Sequence, residues 1–564
     1  MLLYFIFQDH LLNLGIDRWQ AMHCFIVTNT STTYQSNYAT LKTTIKTNAK
    51  NLKNQHEYTE FSLMDVQDLH WSYSLLSTVI LLADLFIRIG LSLRVIMRKR
   101  PYGVSLAWLI VILLVPFLGG FFYLLFGENR IPERRIERAK ASFNHYQHWL
   151  KTLKNRDSAS WTTPSKKLSS LHHQAETLVG IPAMKGNELF LITKPEDIIN
   201  SIVDAIAHST STCHLQFYIW EEGGSVDNII NALIKAAERG VTCRLLLDSI
   251  GSRDFLKSNT AATMKKVGIK IQESLPAGLL KALFSRIDIR NHRKIVVIDG
   301  AIAYTGSQNM VDPDVFKKDA GVGNWIDLMV KIDGPVVESL AGTFISDWFL
   351  ETNIGQFRSE SLLQDFDTVR SIGDIHPCAE TGVSAVQLVP SGPGFSPEAI
   401  HSLLLTTIYA SRNELIMTTP YFIPDEPLLA ALKAAAWRGV DVKIIVPKNN
   451  DSLLVQYASR ARYEELAEAG VKIYLFDGGL LHSKTITVDR DFSLFGSVNL
   501  DMRSFWLNFE ATLFIYCPEF TKELHTIQEG YLSQSEELNT KEFTKRKWAE
   551  KFKENVVLLI APLL

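Results

Sequence analysis

Residues 291–309 read NHRKIVVIDGAIAYTGSQN, and residues 481–499 read LHSKTITVDRDFSLFGSVN. Counted from the histidine, both carry lysine at +2, aspartate at +7, glycine at +14, serine at +15 and asparagine at +17. A lone His-x-Lys with a distant aspartate is a weak signal, but two copies with the same Gly-Ser-x-Asn tail at the same offsets are not chance. The flanks repeat too. HLQFYIW (His214–Trp220), a helical pattern ending AAERGV (Ala236–Val241) and TCRLLLD (Thr242–Asp248) precede the first copy. ELIMTTPYFIP (Glu414–Pro424), a helical pattern ending AAWRGV (Ala435–Val440) and DVKIIVP (Asp441–Pro447) precede the second. VGIKI (Val267–Ile271) and AGVKIYLF (Ala469–Phe476) follow in turn. Strands alternating with helices and repeating after about 190–200 residues predict an α/β fold of two tandem domains in pseudo-two-fold arrangement. They are placed at 181–355 and 386–564, with a polar connector at 356–385.

Histidine and lysine two residues apart on a strand share a face, which in an apolar strand is otherwise core. Burying an unpaired lysine there is costly, so a pocket that receives an anion resolves the placement. Two such pairs brought together make one cationic site for a phosphodiester. Lys294 and Lys484, with Ser307, Asn309, Ser497 and Asn499, are its expected donors to the non-bridging oxygens. Of His292 and His482, one attacks phosphorus and the other protonates the leaving oxygen. Asp299 and Asp489 complete the two motifs, but strand alternation turns them away from the pocket, so they are read as structural or supporting residues. Asp327 in NWIDLMV and Glu510 in NFEATLF are better placed to orient the imidazoles through the far ring nitrogen. There is no carboxylate cluster at metal-ligand spacing, so neither metal nor cofactor is expected.

A chain of 564 residues needs more than one core. Its 58 basic and 60 acidic side chains balance to −2, which offers no electrostatic basis for wrapping nucleic acid. Cys24, Cys213, Cys243, Cys378 and Cys517 stand singly, so neither a disulfide framework nor a zinc site is expected.

Two apolar stretches precede the repeats. Trp71–Leu93 is broken only by Asp84 and Arg88, four apart and able to pair on one helical face. Val104–Phe126 carries no charge at all. Each is long enough to cross a hydrocarbon layer of ~30 Å as a helix, so residues 71–127 are expected to form two transmembrane or hairpin helices. Basic clusters flank the second stretch on both sides: Arg94, Arg98, Lys99 and Arg100 before it, and Arg130, Arg134, Arg135, Arg138 and Lys140 after it, in a basic linker over 128–180. Two full spans would set these clusters on opposite membrane faces, against the positive-inside rule, whereas a shallow hairpin bent near Pro116, Gly119 and Gly120 would keep them on one. The sequence leaves both open. Residues 1–70 read as a partly disordered extension with no assigned function.

The twin motifs resemble the paired His-Lys-Asp motifs of the phospholipase D superfamily. RKRPYGVSLAWLIVILLVPFLGGFFYLLFGE, LLLDSIGS, SGPG, TTPYFIP, GSVNLDMRSFWLNFE and the apolar terminus ENVVLLIAPLL are similar to the bacterial cardiolipin synthases within it. The resemblance implies phospholipase-D-type domains sharing one active site, with His292, Lys294, Asp299, His482, Lys484 and Asp489 as the catalytic set. It implies transfer of a phosphatidyl group from one phosphatidylglycerol to another through a phosphatidyl-histidine, with His292 the nucleophile and His482 the acid and base. The implied partners are phosphatidylglycerol and membrane lipid, without metal, and the implied place is the bacterial inner membrane. The extension before Trp71 departs from the family pattern. Phe505 and Trp506, beside Arg503, are read equally as an apolar entrance or as core. The rival readings are a hydrolytic phospholipase D, a phosphatidylserine synthase, a nuclease, and a catalytically dead membrane scaffold, which two intact motifs argue against. Oligomeric state is open.

Overall fold

Pro116 breaks the charge-free run in two. In this computed structural model, which describes residues 63–98, 102–128, 135, 137, 148–154, 166–276, 286, 288–317, 321–352, 366–393 and 398–559, the chain divides into a unit of residues 1–98 and a unit of residues 99–564. The first unit contributes α1 (Leu63–Met97), in which Arg88 pairs with Asp84 at 2.7 Å as the spacing requires. The second begins with α2 (Tyr102–Leu114) and α3 (Pro116–Phe126). Proline at the first position of α3 needs no helical N–H. Gly119 fits close against Val111, where a Cβ would sit 2.6 Å from the Val111 carbonyl oxygen. Trp108 and Tyr123 meet edge to face at 5.4 Å, so the two helices fold back on each other. At 13 and 11 residues, neither reaches ~30 Å. Val104–Phe126 is thus a hairpin and not one span, and no helix among the described residues is long and apolar enough to cross a membrane. Most of the 1–70 extension with Cys24, residues Lys99, Arg100, Arg130, Arg134, Arg138 and Lys140, and the last residues of the apolar terminus lie outside the described residues.

The rest of the second unit is built on one sheet of 15 strands. The first half supplies β1 (Met184–Ile192), β2 (Thr212–Phe217), β3 (Thr242–Asp248), β4 (Lys270–Ser274), β5 (Ile295–Ile298), β6 (Ile302–Gly306) and β7 (Met329–Asp333). The second supplies β8 (Ser384–Ser391), β9 (Glu414–Thr418), β10 (Asp441–Pro447), β11 (Lys472–Phe476), β12 (Thr485–Val488), β13 (Phe492–Gly496), β14 (Glu510–Tyr516) and β15 (Ser535–Glu537). The sheet order is β15-β11-β10-β9-β12-β13-β14-β8-β1-β7-β6-β5-β2-β3-β4. Read outward from the central β8–β1 pair, β1-β7-β6-β5-β2-β3-β4 and β8-β14-β13-β12-β9-β10-β11 trace the same path twice. The sequence repeat is therefore a structural one.

Helices α4 (Pro195–Ala207), α5 (Val226–Glu238) and α6 (Val336–Glu351) serve the first half; α7 (Ala399–Ala410), α8 (Glu426–Trp437), α9 (Leu453–Glu468) and α10 (Pro518–Ser533) serve the second, and α11 (Trp548–Leu558) follows. The Arg-Gly that ends both helical patterns is a helix stop: Gly240 and Gly439 take φ of +93° and +87°, which only glycine adopts freely. That turn feeds β3 and β10, each parallel to the strand before the helix. Both sheet faces are covered, so β2, β5, β12 and β14 are buried throughout.

Candidate active site

Each half clamps the other half's histidine by the backbone. Trp325–Ile326 pairs in parallel with Leu480–Leu481, and His482 N–H donates to the Ile326 carbonyl at 2.8 Å. In the matching place Asn291 bridges to Phe509, and His292 N–H donates to the Phe509 carbonyl at 2.9 Å. The next residues along are Asp327 and Glu510. The backbone register thus delivers one carboxylate to each imidazole, from the opposite half.

The side chains complete this crossing. Glu510 lies 2.9 and 3.0 Å from His292 Nδ1 through its two oxygens, and Asp327 Oδ1 lies 2.6 Å from His482 Nδ1. A carboxylate at Nδ1 fixes the proton there and leaves Nε2 for chemistry. Ser497 Oγ donates to Glu510 at 2.5 Å and accepts the Ala511 N–H, while Ser307 Oγ donates to Asp327 at 2.5 Å and accepts the Leu328 N–H. The two serines, expected on the phosphate, instead hold the carboxylates. The glycine before each lets the neighbouring strand come close, since a Cβ there would sit 2.3 Å from the Leu328 or Ala511 carbonyl oxygen. Of the asparagines, Asn309 Oδ1 takes the Ile219 N–H at 3.3 Å, and Asn499 lies against the Asp501 carboxyl.

His292 and Lys294 precede β5, and His482 and Lys484 precede β12, just outside the strands. All four side chains are buried. Each lysine turns back to donate to the carbonyl of its histidine, Lys294 at 2.8 Å. Burial pushes Lys294 down to about 8 and Lys484 to about 7, the latter assisted by repulsion from Lys294. Burial also lowers both imidazoles, that of His482 to about 4, and each feels the cations of both copies. Asp327 and Glu510 show the opposite balance: burial raises them, but their histidine partners, the lysines and the serine hydroxyls leave both below the ordinary carboxylate range. The pocket is therefore short of negative charge. Two histidines and two lysines compete for protons that one bound anion would stabilise.

Asp299 and Asp489 do not enter this site. They sit in the turns after β5 and β12, each with φ of +51°. The Asp299 carboxylate collects the amides of Thr210, Ser211 and Thr212, and Asp489 those of Arg412, Asn413 and Glu414, at the start of β2 and β9. Strand length sets them at the far end from the imidazoles, where they hold backbone amides rather than line the pocket, the supporting position that strand alternation implies. Phe505 is buried against His401, with ring centroids 5.6 Å apart, and so belongs to the core; Trp506 is partly buried beside it, and Arg503 donates to the Asp288 carbonyl.

Sequence reasoning missed the rings that wall the histidines. Tyr218, within HLQFYIW, lies 5.2 Å from the His292 ring with Lys294 Nζ 5.8 Å from its centroid. Trp325 lies 4.5 Å from the His482 ring. It also missed Asp501, a buried carboxyl that caps the helix Met502–Trp506 through the Ser504 N–H and is pushed up by burial to about 6. No periodicity marks such residues, since their neighbours come from other strands.

Residues 202–348 and 404–531 match the family described as cardiolipin synthase, PLD-like domain, and residues 86–128 match the phospholipase D-nuclease N-terminal family. Cardiolipin synthase A of Yersinia pseudotuberculosis serotype O:1b (strain IP 31758) is 44% identical over 475 residues, covering 84% of this chain and 96% of that protein. Its counterpart from Yersinia pestis gives the same figures. Among solved structures, the phosphatidylserine synthase of Haemophilus influenzae Rd KW20 superposes with a TM-score of 0.52 at 14% identity, covering 70% of this chain and all of that one. That likeness speaks to the fold.

Proposed function

The chain belongs to the cardiolipin synthase family of the phospholipase D superfamily, and on that premise we propose that it joins two phosphatidylglycerol molecules into cardiolipin and releases glycerol. The observation that carries the mechanism is the crossed pairing of His292 with Glu510 and His482 with Asp327. His292 Nε2 attacks phosphorus, the bond to the head-group glycerol oxygen breaks, and His482 gives that oxygen its proton. His482, now neutral, takes the proton from a glycerol hydroxyl of the second phosphatidylglycerol. That oxygen attacks phosphorus and the P–N bond breaks, returning both histidines to their starting state. The first step needs His482 charged, although burial disfavours this. The phosphodiester itself supplies the missing negative charge, so substrate binding and protonation are linked. Lys294 and Lys484, released from the carbonyls, and the amides of Asn309 and Asn499 hold the non-bridging oxygens.

Attachment to the bacterial inner membrane fits the exposed apolar faces of α2 and α3, where Leu106, Ile110, Leu114, Phe117, Leu118 and Phe121 are exposed. A hairpin keeps its two ends on one side, which suits an enzyme whose substrates both lie in the bilayer.

The test is purified protein in vesicles with glycerol-labelled phosphatidylglycerol. Cardiolipin and free glycerol, lost in His292→Ala, are expected. Phosphatidic acid alone would make it a lipase, and no turnover of any phospholipid would overturn the assignment.

A further inference from the structure

The last described helix carries an apolar face that no described residue covers. On α11, Trp548, Phe552 and Val556, with Leu559 just after it, recur at helical spacing and so share one face. They are 76%, 53%, 45% and 81% exposed, and Trp548 and Phe552 stack at 5.1 Å. The opposite side is anchored: Glu554 is buried and takes Arg460 and Arg546, while Val557 and Leu558 pack with Ile423, Val455 and Ala458. Lys545, Lys547 and Lys553 are exposed around the stripe. A fixed helix with an apolar stripe, aromatic anchors and flanking lysines has the make-up of one that lies in a membrane interface.

Its position adds a reason. Val557 and Leu558 pack in the same cluster as Tyr421, whose hydroxyl donates to Asp451 at 2.9 Å. Ile423, in that same cluster, pairs in parallel with Asp501, two residues after Asn499 of the second motif. Leu453, Leu454 and Tyr457, at the start of α9, are exposed too. They follow Asp451, which pairs with Lys317 at 3.4 Å, while Lys317 Nζ lies 5.5 Å from the centre of the Trp325 ring that stands against His482. Apolar side chains thus border the edge of the site.

We propose that α11 is a second membrane contact, in which Trp548, Phe552, Val556 and Leu559 enter the surface of an anionic phospholipid bilayer and hold the mouth of the site against it. The inference rests on the synthase reading for its purpose, since both substrates are lipids, but on the helix itself for its existence. The lysines commit it to a negatively charged surface, which phosphatidylglycerol provides.

The experiment uses the full chain in nanodiscs, with Cys24 and Cys378 replaced by serine and an environment-sensitive fluorophore on Phe552→Cys. Nitroxide-labelled lipid reports depth. A label on Trp437→Cys, 72% exposed at the end of α8, is the control. The expected result is strong quenching at 552 in discs containing phosphatidylglycerol, several-fold less in phosphatidylcholine discs, and little at 437. Absence of quenching at 552, or equal quenching in both lipids, would overturn the proposal. So would shielding of the 552 label in detergent that grows with protein concentration, which would assign the face to a second copy. Cardiolipin formation is measured on the same discs. Its absence would sink the synthase reading while quenching at 552 still stood.

Discussion

Glu510 of the second half holds His292 of the first by Nδ1, 2.9 Å away, while Phe509, one residue earlier, accepts the His292 backbone N–H. One short stretch of β14 and its approach therefore sets both the position and the tautomer of an imidazole from the other half. The two halves cannot shift against each other without losing it.

Glu510→Gln keeps the shape but removes the charge that stabilises the imidazolium and favours the productive tautomer. A loss of about 10²- to 10⁴-fold in kcat is expected, by analogy with amide replacement of a triad carboxylate, with KM changed little. Asp327→Asn should lose as much on phosphatidylglycerol. It should recover much of that on a phosphatidyl ester with a nitrophenolate leaving group, which needs no proton. Steady-state kinetics on both substrates separates the two roles.

The lysines predict an alkaline limb. They must be charged to hold phosphate, and Lys484 near 7 and Lys294 near 8 lose their protons well below the ordinary lysine range. A profile of kcat/KM should therefore fall as pH rises through about 7 to 8. Stability should move the other way. From there up to about 10.4, the unfolded lysines bind more protons than the folded ones, so this pair makes the fold more stable as pH rises. A flat kcat/KM to pH 9 would contradict the assignment.

Asp299→Ala should act on the fold and not on the chemistry. Three backbone amides lose their acceptor, at a cost of about 2 kcal/mol, read as a lower denaturation midpoint, while kcat of the folded fraction stays within a few-fold. Hydrogen bonds to the Asp299 carboxylate lower it below the usual range despite burial. Its contribution is thus fully present above about pH 4 and is lost as pH falls through the folded value. A 10³-fold loss of kcat with unchanged stability would return Asp299 to the active site.

Arg135 reaches from the segment after the hairpin to the site's foundation. Its guanidinium contacts the buried Glu351 carboxylate and lies 4.5 Å over the Phe509 ring. Removing one partner of a buried pair costs about 3 kcal/mol or more. Arg135→Ala should therefore lower thermal stability and slow turnover through Phe509, and Arg135→Lys should restore stability only in part, since lysine cannot stack its charge as a plane.

Much of this was legible in the sequence. TCRLLLD and DVKIIVP are β3 and β10 to the residue, and the two Arg-Gly stops end α5 and α8, because period and turn chemistry are local. Asp327 and Glu510 stand out as carboxylates in apolar runs, a core position with a polar reason to exist, although only Glu510 lies in a strand and Asp327 falls between two. What the sequence withheld depends on register between distant strands. Nothing in GSQN or GSVN says that the serine faces a carboxylate and not the pocket, nor that each carboxylate crosses to the other half. The sequence allows both a full span and a hairpin, and the contacts of Gly119 with Val111 and of Trp108 with Tyr123 select the hairpin.

The division of labour between the histidines is best tested by trapping the covalent enzyme. His482→Ala and His292→Ala are each mixed with a phosphatidyl nitrophenyl ester, and the nitrophenolate burst and the labelled peptide are read under alkaline conditions. A stoichiometric burst with the phosphatidyl group on His292 in His482→Ala, and none in His292→Ala, is the predicted result. A burst in His292→Ala with the adduct on His482 would contradict it.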